Sequence, residues 1–403
     1  MRKIINLQKD LIQITIALSM FTFASSMVGV FIPLVILKSG GRLWEVAVFY
    51  LIYAVFKLVI NFPVVLMIQK KGVHFGLGCA FLAGIMQMLS ILEYASTRNA
   101  WLLVIGAASL SLTNAFLWSS QHLFISTVME DDTKSSSLAT MGIIGQIGGV
   151  AAPLFGGFIG AYLGSYYLLA SAVFLCVIAF ISLKGISRQV HVTQPNDEKI
   201  RYSFKGAPIG DIIANFSYNT ETMISIMVWP IYLAVFVASY RNIGAIITLS
   251  AAVSIIVTWL AGHRGDRGQD QAVLREGVAA TSIIDLFRLI ASTQIWITVI
   301  TVGYRASLSY LQNAWTSTYY FHAKRKGFQY IVSMEMACDL AYASIWAVLL
   351  ATLLLSSSSR MFFVTAFIIA AVAVWGCLLI SRQLEMASPG LKILKTQNQE
   401  TLE

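Results

Sequence analysis

Five ionisable side chains interrupt long apolar stretches of the sequence, and they are the residues best placed to do chemistry. They are Lys57, Glu221, Arg305, Glu335 and Asp339. Ionisable groups inside membrane-spanning helices are costly and usually functional. Burial disfavours the charged form of a carboxyl group, and a second carboxyl group nearby disfavours it further. A carboxyl group in such a place can take up and release a proton.

We therefore hypothesise that Glu221, together with Glu335 or Asp339, binds and releases a coupling proton. Glu335 and Asp339 are four residues apart and share one face of a helix. Glu221 lies about 15 Å into its own helix, near the middle of a bilayer. The alternative is a structural ion pair in which Arg305 neutralises Glu335 or Asp339. Lys57 has two interpretations, as a counter-ion for Glu221 or as the anchor of an anionic substrate.

Polar and aromatic side chains recur at helical spacing around these charges. Asn114, Trp118 and Gln121 form one stripe, because they lie at positions i, i+4 and i+7. Amides supply hydrogen bonds and tryptophans supply apolar area, a mixture that suits an organic solute better than a bare ion. The alternative is hydrogen bonding between helices. The candidate substrate-binding residues are Lys57, Asn114, Trp118, Gln121, Asn215, Asn219, Thr222, Trp229, Arg305 and Asn313.

Asp285 and Arg288 also lie inside an apolar stretch, three residues apart. Residues at this spacing are neighbours on a helix surface. We interpret them as a structural ion pair within one helix.

The elements that must position these residues are membrane-spanning helices. Of the 403 residues, 57% are apolar and 12% are charged, whereas soluble domains carry about 25% charged residues. Apolar runs of about 20 residues recur, and a helix of that length spans a bilayer. The net charge of +9 comes from short connectors, which excludes the basic surface of a nucleic-acid-binding protein.

Enzyme motifs are absent from the sequence, which has no P-loop, GxSxG, HExxH or CxxC. We therefore expect neither an enzyme, nor a cofactor, nor a metal site. The cysteines lie inside apolar runs without the spacing of a disulfide framework or a zinc site. They are Cys79, Cys176, Cys338 and Cys377.

Twelve spans account for the distribution of basic residues. With the N-terminus in the cytoplasm, the cytoplasmic segments hold 20 Lys and Arg and the opposite segments hold five. This asymmetry predicts a multi-pass protein of the inner or plasma membrane with both termini inside. The predicted spans are about 11–37, 43–69, 73–94, 100–128, 137–161, 165–184, 212–237, 242–262, 273–291, 294–320, 329–355 and 360–381.

An internal repeat relates the two halves of the chain. Pro33 and Pro230 lie at an offset of 197 residues, and Asn114 and Asn313 at an offset of 199. Transporters are commonly built from such repeats. We predict a six-helix half at 1–184, a central cytoplasmic loop at 185–210, a second six-helix half at 211–383 and a cytoplasmic tail at 384–403.

Two motifs and this layout give the sequence its resemblance to the major facilitator superfamily. Residues 148–157 read GGVAAPLFGG, similar to the family's G-x-x-x-G-P-x-x-G-G signature, with Ala152 at the second glycine. Residues 262–268 read GHRGDRG, similar to its G-x-x-x-D-R loop motif. In the family, the aspartate of this motif helps to hold the two halves together on the cytoplasmic side. The equivalent loop at 69–72 lacks the aspartate, so the resemblance assigns this role to the C-terminal half alone. The resemblance assigns conformational roles to Gly148, Gly149, Pro153, Gly156, Gly157, Gly262, Asp266 and Arg267.

The resemblance implies an all-α fold of two six-helix bundles and transport by alternating access. Helices 1, 2, 4, 5, 7, 8, 10 and 11 would line the central cavity, and the helix 5 signature, commonest among antiporters, favours export. We expect a monomer that moves a small organic molecule with protons or another coupling ion. Lys57 and Arg305 would favour an anionic or amphipathic substrate. The rivals are a proton-coupled uptake symporter, a non-transporting receptor or assembly factor, and a lipid flippase.

Overall fold

The computed structural model describes residues 2–128, 135–183, 201–266 and 269–380. Of these, the side chains of residues 2–12, 122–148, 265, 266, 324 and 328 are not described. The predicted roles of Gly148 and Asp266 fall on that undescribed set. Arg267 lies outside the described residues altogether.

Within those ranges the chain folds into twelve helices, as the sequence predicts. Their ends agree with the predicted spans to within a few residues, except that α1 starts earlier and α10 ends later. The helices are α1 (Arg2–Gly29 and Ile32–Lys38), α2 (Leu43–Lys71), α3 (Val73–Thr97), α4 (Ala100–Val128), α5 (Ser135–Tyr162), α6 (Ser165–Ser182), α7 (Ile209–Met223, Ile224–Val228 and Trp229–Phe236), α8 (Tyr240–Asp266), α9 (Asp270–Phe287 and Arg288–Ile290), α10 (Gln294–Lys326), α11 (Phe328–Ser356) and α12 (Ser359–Ala373 and Val374–Cys377).

Eight stretches of the described residues are long and apolar enough to cross a membrane. Helices α7 and α10 are not among them. Both carry polar residues singled out in the sequence, which lower their mean hydropathy: Asn215, Asn219 and Thr222 in α7, and Arg305 and Asn313 in α10. Polar residues avoid lipid, so these two helices need a protein or water environment on one side.

Proline breaks the first helix of each half. α1 is interrupted after Gly29, and the second segment starts at Ile32 with Pro33 in its first turn. α7 has a π-helical turn at Ile224–Val228, immediately before Pro230. Proline has no N–H group and its ring clashes with the carbonyl four residues earlier, so it favours a kink or a break in a helix. The two breaks lie at the offset of the sequence repeat.

The helices pack in two groups that meet along two seams. In the first group α4 packs on α2 and α3, and α1 packs on α5 and α6. In the second group α10 packs on α8 and α9, and α11 packs on α7. Between the groups, α5 packs on α8 and α2 packs on α11. These two seams, with a smaller contact between the second segment of α1 and the last segment of α7, hold the halves together.

Small residues allow the close approach of α5 and α8. A Cβ atom added at Gly157 would lie 2.6 Å from the carbonyl oxygen of Tyr240 and 3.1 Å from the Cα of Gly244. A Cβ at Gly244 would meet the carbonyl oxygen of Pro153. At Gly156 an added Cβ would clash with the backbone of α1. Glycine signatures in membrane helices act by this close packing, and here Pro153 and Gly157 build the α5–α8 seam. Gly149 takes no part in it, since an added Cβ there would meet nothing within 4 Å.

The two ends of the bundle differ. At the end that carries Ser39 and Tyr240, here called the far end, the Phe31 and Tyr240 rings lie 5.5 Å apart and Lys38 lies over the Tyr240 ring. These contacts join α1 to α8 and close that end. At the linker end, where α2 ends at Lys71 and α11 begins at Phe328, the halves leave a recess.

Candidate functional site

A buried ion pair joins the two halves at the middle of the α2–α11 seam. Lys57 Nζ lies 2.5 Å from Asp339 Oδ1, and the two side chains are 4% and 0% exposed. Asn61, one turn along α2, donates to the other oxygen of Asp339 at 2.5 Å. Both oxygens of this carboxylate are therefore satisfied by groups from the opposite half.

Aromatic packing fixes the register of α2 against α11. The rings of Tyr50 and Trp346 stack with centroids 4.9 Å apart, and those of Tyr53 and Tyr342 lie 6.4 Å apart. The helices run antiparallel, so each step along α2 matches a step back along α11. This register brings Lys57 to Asp339 with the Tyr342 ring 5.6 Å from its ammonium.

Glu335 lies one turn from Asp339 towards the linker end, at the wall of the recess. Its carboxylate is 3.9 Å from Lys57 Nζ, and its side chain is 24% exposed. The recess is a shallow depression open to one side, with a cavity volume of about 20 Å³. The described residues that line it are Asn61, Phe62, Val65, Ser119, Tyr202, Ile331, Val332, Glu335 and Met336.

The end of the linker covers part of this recess. Gln329 and Arg201 exchange two hydrogen bonds, at 2.9 and 2.7 Å, and Ser333 donates to the carbonyl of Ser203. These bonds fasten residues 201–206 to α11. Tyr202 then reaches the other half, where its hydroxyl donates to the Leu58 carbonyl at 3.2 Å.

The acidic groups of α11 include the one arrangement in the described residues that could hold a metal ion. Ligand atoms of Glu335, Cys338 and Asp339 all lie within 4.8 Å of one another. Lys57 already supplies a positive charge to both carboxylates, so an ion could bind there only by displacing the ammonium. All four cysteines of the chain are free thiols, so no disulfide forms.

Glu221 belongs to a second buried cluster, which lies inside the C-terminal half. Its side chain accepts a hydrogen bond from Ser225 at 2.6 Å, and Ser225 accepts one from Arg288 at 2.7 Å. Arg288 is also 2.8 Å from Asp285, as expected for an intrahelical pair, and both side chains are fully buried. The Tyr304 ring packs 4.1 Å from the guanidinium.

This arrangement corrects two sequence-based expectations about charge pairing. Asp339 pairs with Lys57, so Arg305 does not neutralise it and Lys57 is not the counter-ion of Glu221. The positive group beside Glu221 is Arg288, reached through Ser225. Glu221 and Asp339 therefore do not form one carboxyl pair.

Arg305 lies on a different part of the interior. Two residues of α10 contact neighbouring helices. Thr301 accepts a hydrogen bond from Trp229 of α7, and Asn313 donates one to α8. At about 100° per residue, Arg305 lies between these two faces of α10. Ser307, on the opposite face, accepts a hydrogen bond from Thr281 of α9. Arg305 is half-buried and, within the described residues, has no ion pair.

Of the remaining predicted substrate-binding residues, those on α4 are partly exposed and most of the others contact neighbouring helices. Trp118 is 48% exposed on α4. Asn114 and Gln121 on the same face are half-buried, and Asn114 donates to the Leu110 carbonyl of its own helix. None of the three is among the described residues that line the recess, so their role in substrate binding stays a prediction.

The predicted residues of α7 make contacts inside the C-terminal half. Asn215 donates to the Met334 carbonyl of α11 at 2.6 Å, and Asn219 bonds back to Asn215. Thr222 is half-buried beside Glu221. Trp229 is 1% exposed and bonded to α10, so it faces the interior of the C-terminal half in this structure. Asn313 likewise bonds α8, at 3.1 Å from the Thr258 carbonyl.

The loop motif after α8 forms a network on the linker side of the C-terminal half. Arg264 binds Glu276 of α9 through two nitrogens, at 2.6 and 3.0 Å, and also contacts the Tyr310 hydroxyl. A Cβ added at Gly262 would make only an ordinary 3.5 Å contact with the Asn313 amide nitrogen, so close packing does not require this glycine. The motif thus ties α8, α9 and α10 together.

Sequence reasoning missed a charged cluster at the linker end of α7. Asp211 is fully buried, 3.0 Å from His322 Nδ1 and 3.2 Å from Lys326 Nζ. Burial would raise the pKa of Asp211, but the hydrogen bond and charge of His322, with Lys326, hold that pKa below its ordinary value. His322 and Lys326 are four residues apart and share a helix face, a signal present in the sequence. Asn61 was missed although it lies four residues after Lys57, a spacing that places both on one helix face.

The buried carboxylate of Asp211 predicts a loss of stability in acid. Its pKa is lower in the folded protein than in the unfolded chain, so its contribution is complete above the unfolded value of about 3.9 and is lost as pH falls through the folded value. We expect Asp211→Asn to lower the unfolding free energy by about 2 kcal/mol at pH 7, with a smaller difference from wild type below pH 4. Denaturant titrations in detergent at several pH values measure this. The exposed Glu93 provides the control Glu93→Gln; an equal effect of both variants contradicts the prediction.

Comparisons with known proteins agree with this architecture. A family model described as Major Facilitator Superfamily matches residues 14–345. Among solved structures, the nucleoside transporter NupG covers 94% of this chain and 99% of its own, at 12% identity and a TM-score of 0.64. A D-xylose–proton symporter covers 92% and 97%, at 12% identity and a TM-score of 0.65.

A bacterial homologue of the iron transporter ferroportin, in an inward-facing state, is also similar. It covers 93% of this chain and 98% of its own, at 16% identity and a TM-score of 0.64. At such identities the likeness concerns the fold alone. No curated protein sequence matches the chain.

Proposed function

The chain belongs to the major facilitator superfamily, and from this membership we propose that it carries a small organic solute across a membrane in exchange for, or together with, protons. As a secondary transporter of this family it is a multi-pass membrane protein that works without enzymatic chemistry. The observation that carries the proposal is the Lys57–Asp339 ion pair, which joins one half of the molecule to the other.

The position of this pair suits a coupling group. Alternating access requires the two halves to rock against each other around a central site. Such movement at the α2–α11 seam would pull Lys57 away from Asp339 and leave two buried charges without partners. A proton on Asp339 would remove one of those charges. Protonation and rearrangement would then favour each other, which is how a proton gradient drives a conformational cycle.

Orientation and direction follow from the sequence as part of this proposal. With both termini in the cytoplasm of an inner or plasma membrane, the recess opens to the cytoplasm and the closed far end faces outside. The halves would comprise residues 1–184 and 211–383, with 185–210 as the loop between them. The glycine signature on α5 favours export in exchange for protons; uptake with protons is the rival of the same fold.

Glu221 remains a second candidate for the coupling group. It is fully buried with Asp285, and the two carboxylates share the single guanidinium of Arg288. Two carboxylates and one guanidinium carry a net charge of −1 when all are ionised, so binding one proton makes the cluster neutral. The proposal therefore names two groups of carboxylates, one at the seam and one inside the C-terminal half, and the experiment separates them.

The test starts from ligand binding and ends with transport. Compounds that raise the melting temperature of the purified protein at pH 6 and pH 8 identify a solute, because binding to the native state stabilises it. In proteoliposomes, that solute is expected to move against its gradient when a pH gradient is imposed, and a protonophore abolishes the movement. Asp339→Asn is expected to retain solute exchange and lose the response to pH.

Glu221→Gln decides the second candidate in the same assay. Loss of proton-driven movement with retained exchange assigns the coupling to the Glu221 cluster. Undiminished proton-driven movement in both variants rejects both carboxylates. A solute that binds but never crosses the vesicle membrane rejects transport and favours a receptor.

A further inference from the structure

Residues 201–206, here called the linker strap, are fastened to the first turns of α11. A short 3₁₀ turn at Phe204–Gly206 gives the strap a defined shape. The Gly206 N–H group donates to the Ser333 hydroxyl at 3.1 Å, and a Cβ added at Gly206 would clash with the backbone of Gln329. Together with the hydrogen bonds already described, these contacts make the strap part of the C-terminal half.

Tyr202 carries the strap across to the N-terminal half. Its hydroxyl donates to the Leu58 carbonyl of α2 at 3.2 Å, and its ring centroid lies 5.2 Å from that of Phe62. The ring also forms part of the wall of the recess between α2 and α11. An aromatic side chain that is anchored on α11 through its backbone therefore occupies space beside α2.

The seam between α2 and α11 is tight at its middle and opens towards the linker end. Lys57 and Asp339 lie 2.5 Å apart at the middle. Eight residues farther along each of these antiparallel helices, the same register places Val65 opposite Ile331, and both line the recess. Closure of the linker end would bring these two stretches together, so the closed helices and the Tyr202 ring need the same space.

We propose that the linker strap is a wedge: the Tyr202 ring holds α2 and α11 apart at the linker end, favours the conformation that is open there, and must leave α2 before that end closes. Packed helices leave no room for an additional ring. The contacts with Leu58 and Phe62 exist in one conformation only, so they shift the equilibrium by their own free energy. The effect of the wedge on transport rests on the proposed function, whereas the conformational equilibrium is measured without a solute.

Distances between pairs of spin labels on the purified full-length protein measure this equilibrium. Lys70 at the end of α2 and Arg325 at the end of α10 are exposed and report on the linker end. Arg42 and Arg241 are exposed and report on the far end. Each pair is replaced by cysteines in a background where Cys79, the one native cysteine that is not buried, is replaced by serine. Pulsed dipolar electron resonance then gives the populations of both conformations.

Tyr202→Ala is expected to raise the ratio of molecules closed at the linker end to molecules open there about tenfold, because the aromatic contact is lost from the open conformation alone. The linker-end distance then shortens and the far-end distance lengthens. Tyr202→Phe keeps the ring and is expected to change the ratio less than about threefold. Phe174→Ala, which removes a 65% exposed ring on α6, is the control and is expected to leave both distances unchanged.

A second variant keeps the test informative if Tyr202→Ala fails to fold. Gln329→Ala removes the side chain that exchanges hydrogen bonds with Arg201, so the strap loses its anchor on α11, and both distances are expected to move in the same direction. Unchanged distances in both variants overturn the proposal. A longer linker-end distance in Tyr202→Ala also overturns it, because the strap would then be a clasp that pulls the halves together. Equal effects of Tyr202→Ala and Tyr202→Phe reject the ring as the wedge.

The outcomes also separate this proposal from the proposed function. A shift of both distances in Tyr202→Ala, without movement of any solute in vesicles, supports the wedge and rejects transport. Gradient-driven movement of a solute, with distances that do not respond to either variant, supports transport and rejects the wedge.

Discussion

Replacing Lys57 by methionine is expected to lower the unfolding free energy by about 3 kcal/mol. Methionine keeps the length of the apolar stem and removes the ammonium that lies 2.5 Å from Asp339. Removing one partner of a buried ion pair is costly because the other charge is left without compensation. The loss is expected to be larger at pH 8 than at pH 5, since a proton can replace the missing cation in acid.

A double-mutant cycle isolates this pair from other effects of the substitution. Asp339→Asn in the Lys57→Met background removes the remaining charge and retains an acceptor for Asn61, so the double variant is expected to recover most of the lost stability. Lys70, exposed on the same helix, provides the control Lys70→Met, for which we expect a change below about 0.5 kcal/mol. Denaturant titration in detergent micelles measures all four proteins. A coupling energy near zero between the two sites would show that the ion pair does not bind the halves together.

Replacing Arg288 by methionine is expected to have a comparable or larger effect, about 3–5 kcal/mol. Arg288 is the single positive group of a cluster whose carboxylates, Asp285 and Glu221, are both fully buried. It also donates to Ser225 and packs against the Trp229 and Tyr304 rings. Its removal leaves two acids without a counter-charge in a region that water does not reach.

The pattern of rescue distinguishes charge from packing in this cluster. Asp285→Asn combined with Arg288→Met is expected to restore part of the stability, because one buried negative charge is removed with its partner. Glu221→Gln alone is expected to cost less than about 1 kcal/mol, since its amide oxygen can still accept from Ser225. Arg275→Met, an exposed arginine of the same helix, is the control. If Asp285→Asn makes the Arg288 variant less stable, packing and not charge dominates.

Helix number could be predicted because it depends on short stretches of chain. In lipid every backbone N–H and carbonyl must be satisfied within its own helix, so a long apolar run folds as a helix wherever it lies. The breaks near Pro33 and Pro230 could not be predicted in this way, because Pro63 and Pro153 lie inside continuous helices. The intrahelical pair of Asp285 and Arg288 was predictable, since its spacing is local.

The sequence also predicts the type of packing that the glycine signature makes, although not its partner. A run of small residues predicts that two helices approach closely. It does not identify the partner helix, and the structure assigns Gly157 and Pro153 to α8 and Gly156 to α1. Gly244, the α8 residue that packs against this motif, lies in a segment without a recognisable sequence signature.

The amino-acid sequence was enough to establish a twelve-helix membrane protein and to identify its costly charged side chains, since both properties are carried by individual helices. The partners of those charges depend on how the helices pack. Lys57 and Asp339 are 282 positions apart, and nothing local to either residue indicates the other. Packing joins them across the seam, places Glu221 with Arg288 in a separate interior cluster, and leaves Glu335 facing the recess, because antiparallel register and helix rotation are properties of the assembled bundle.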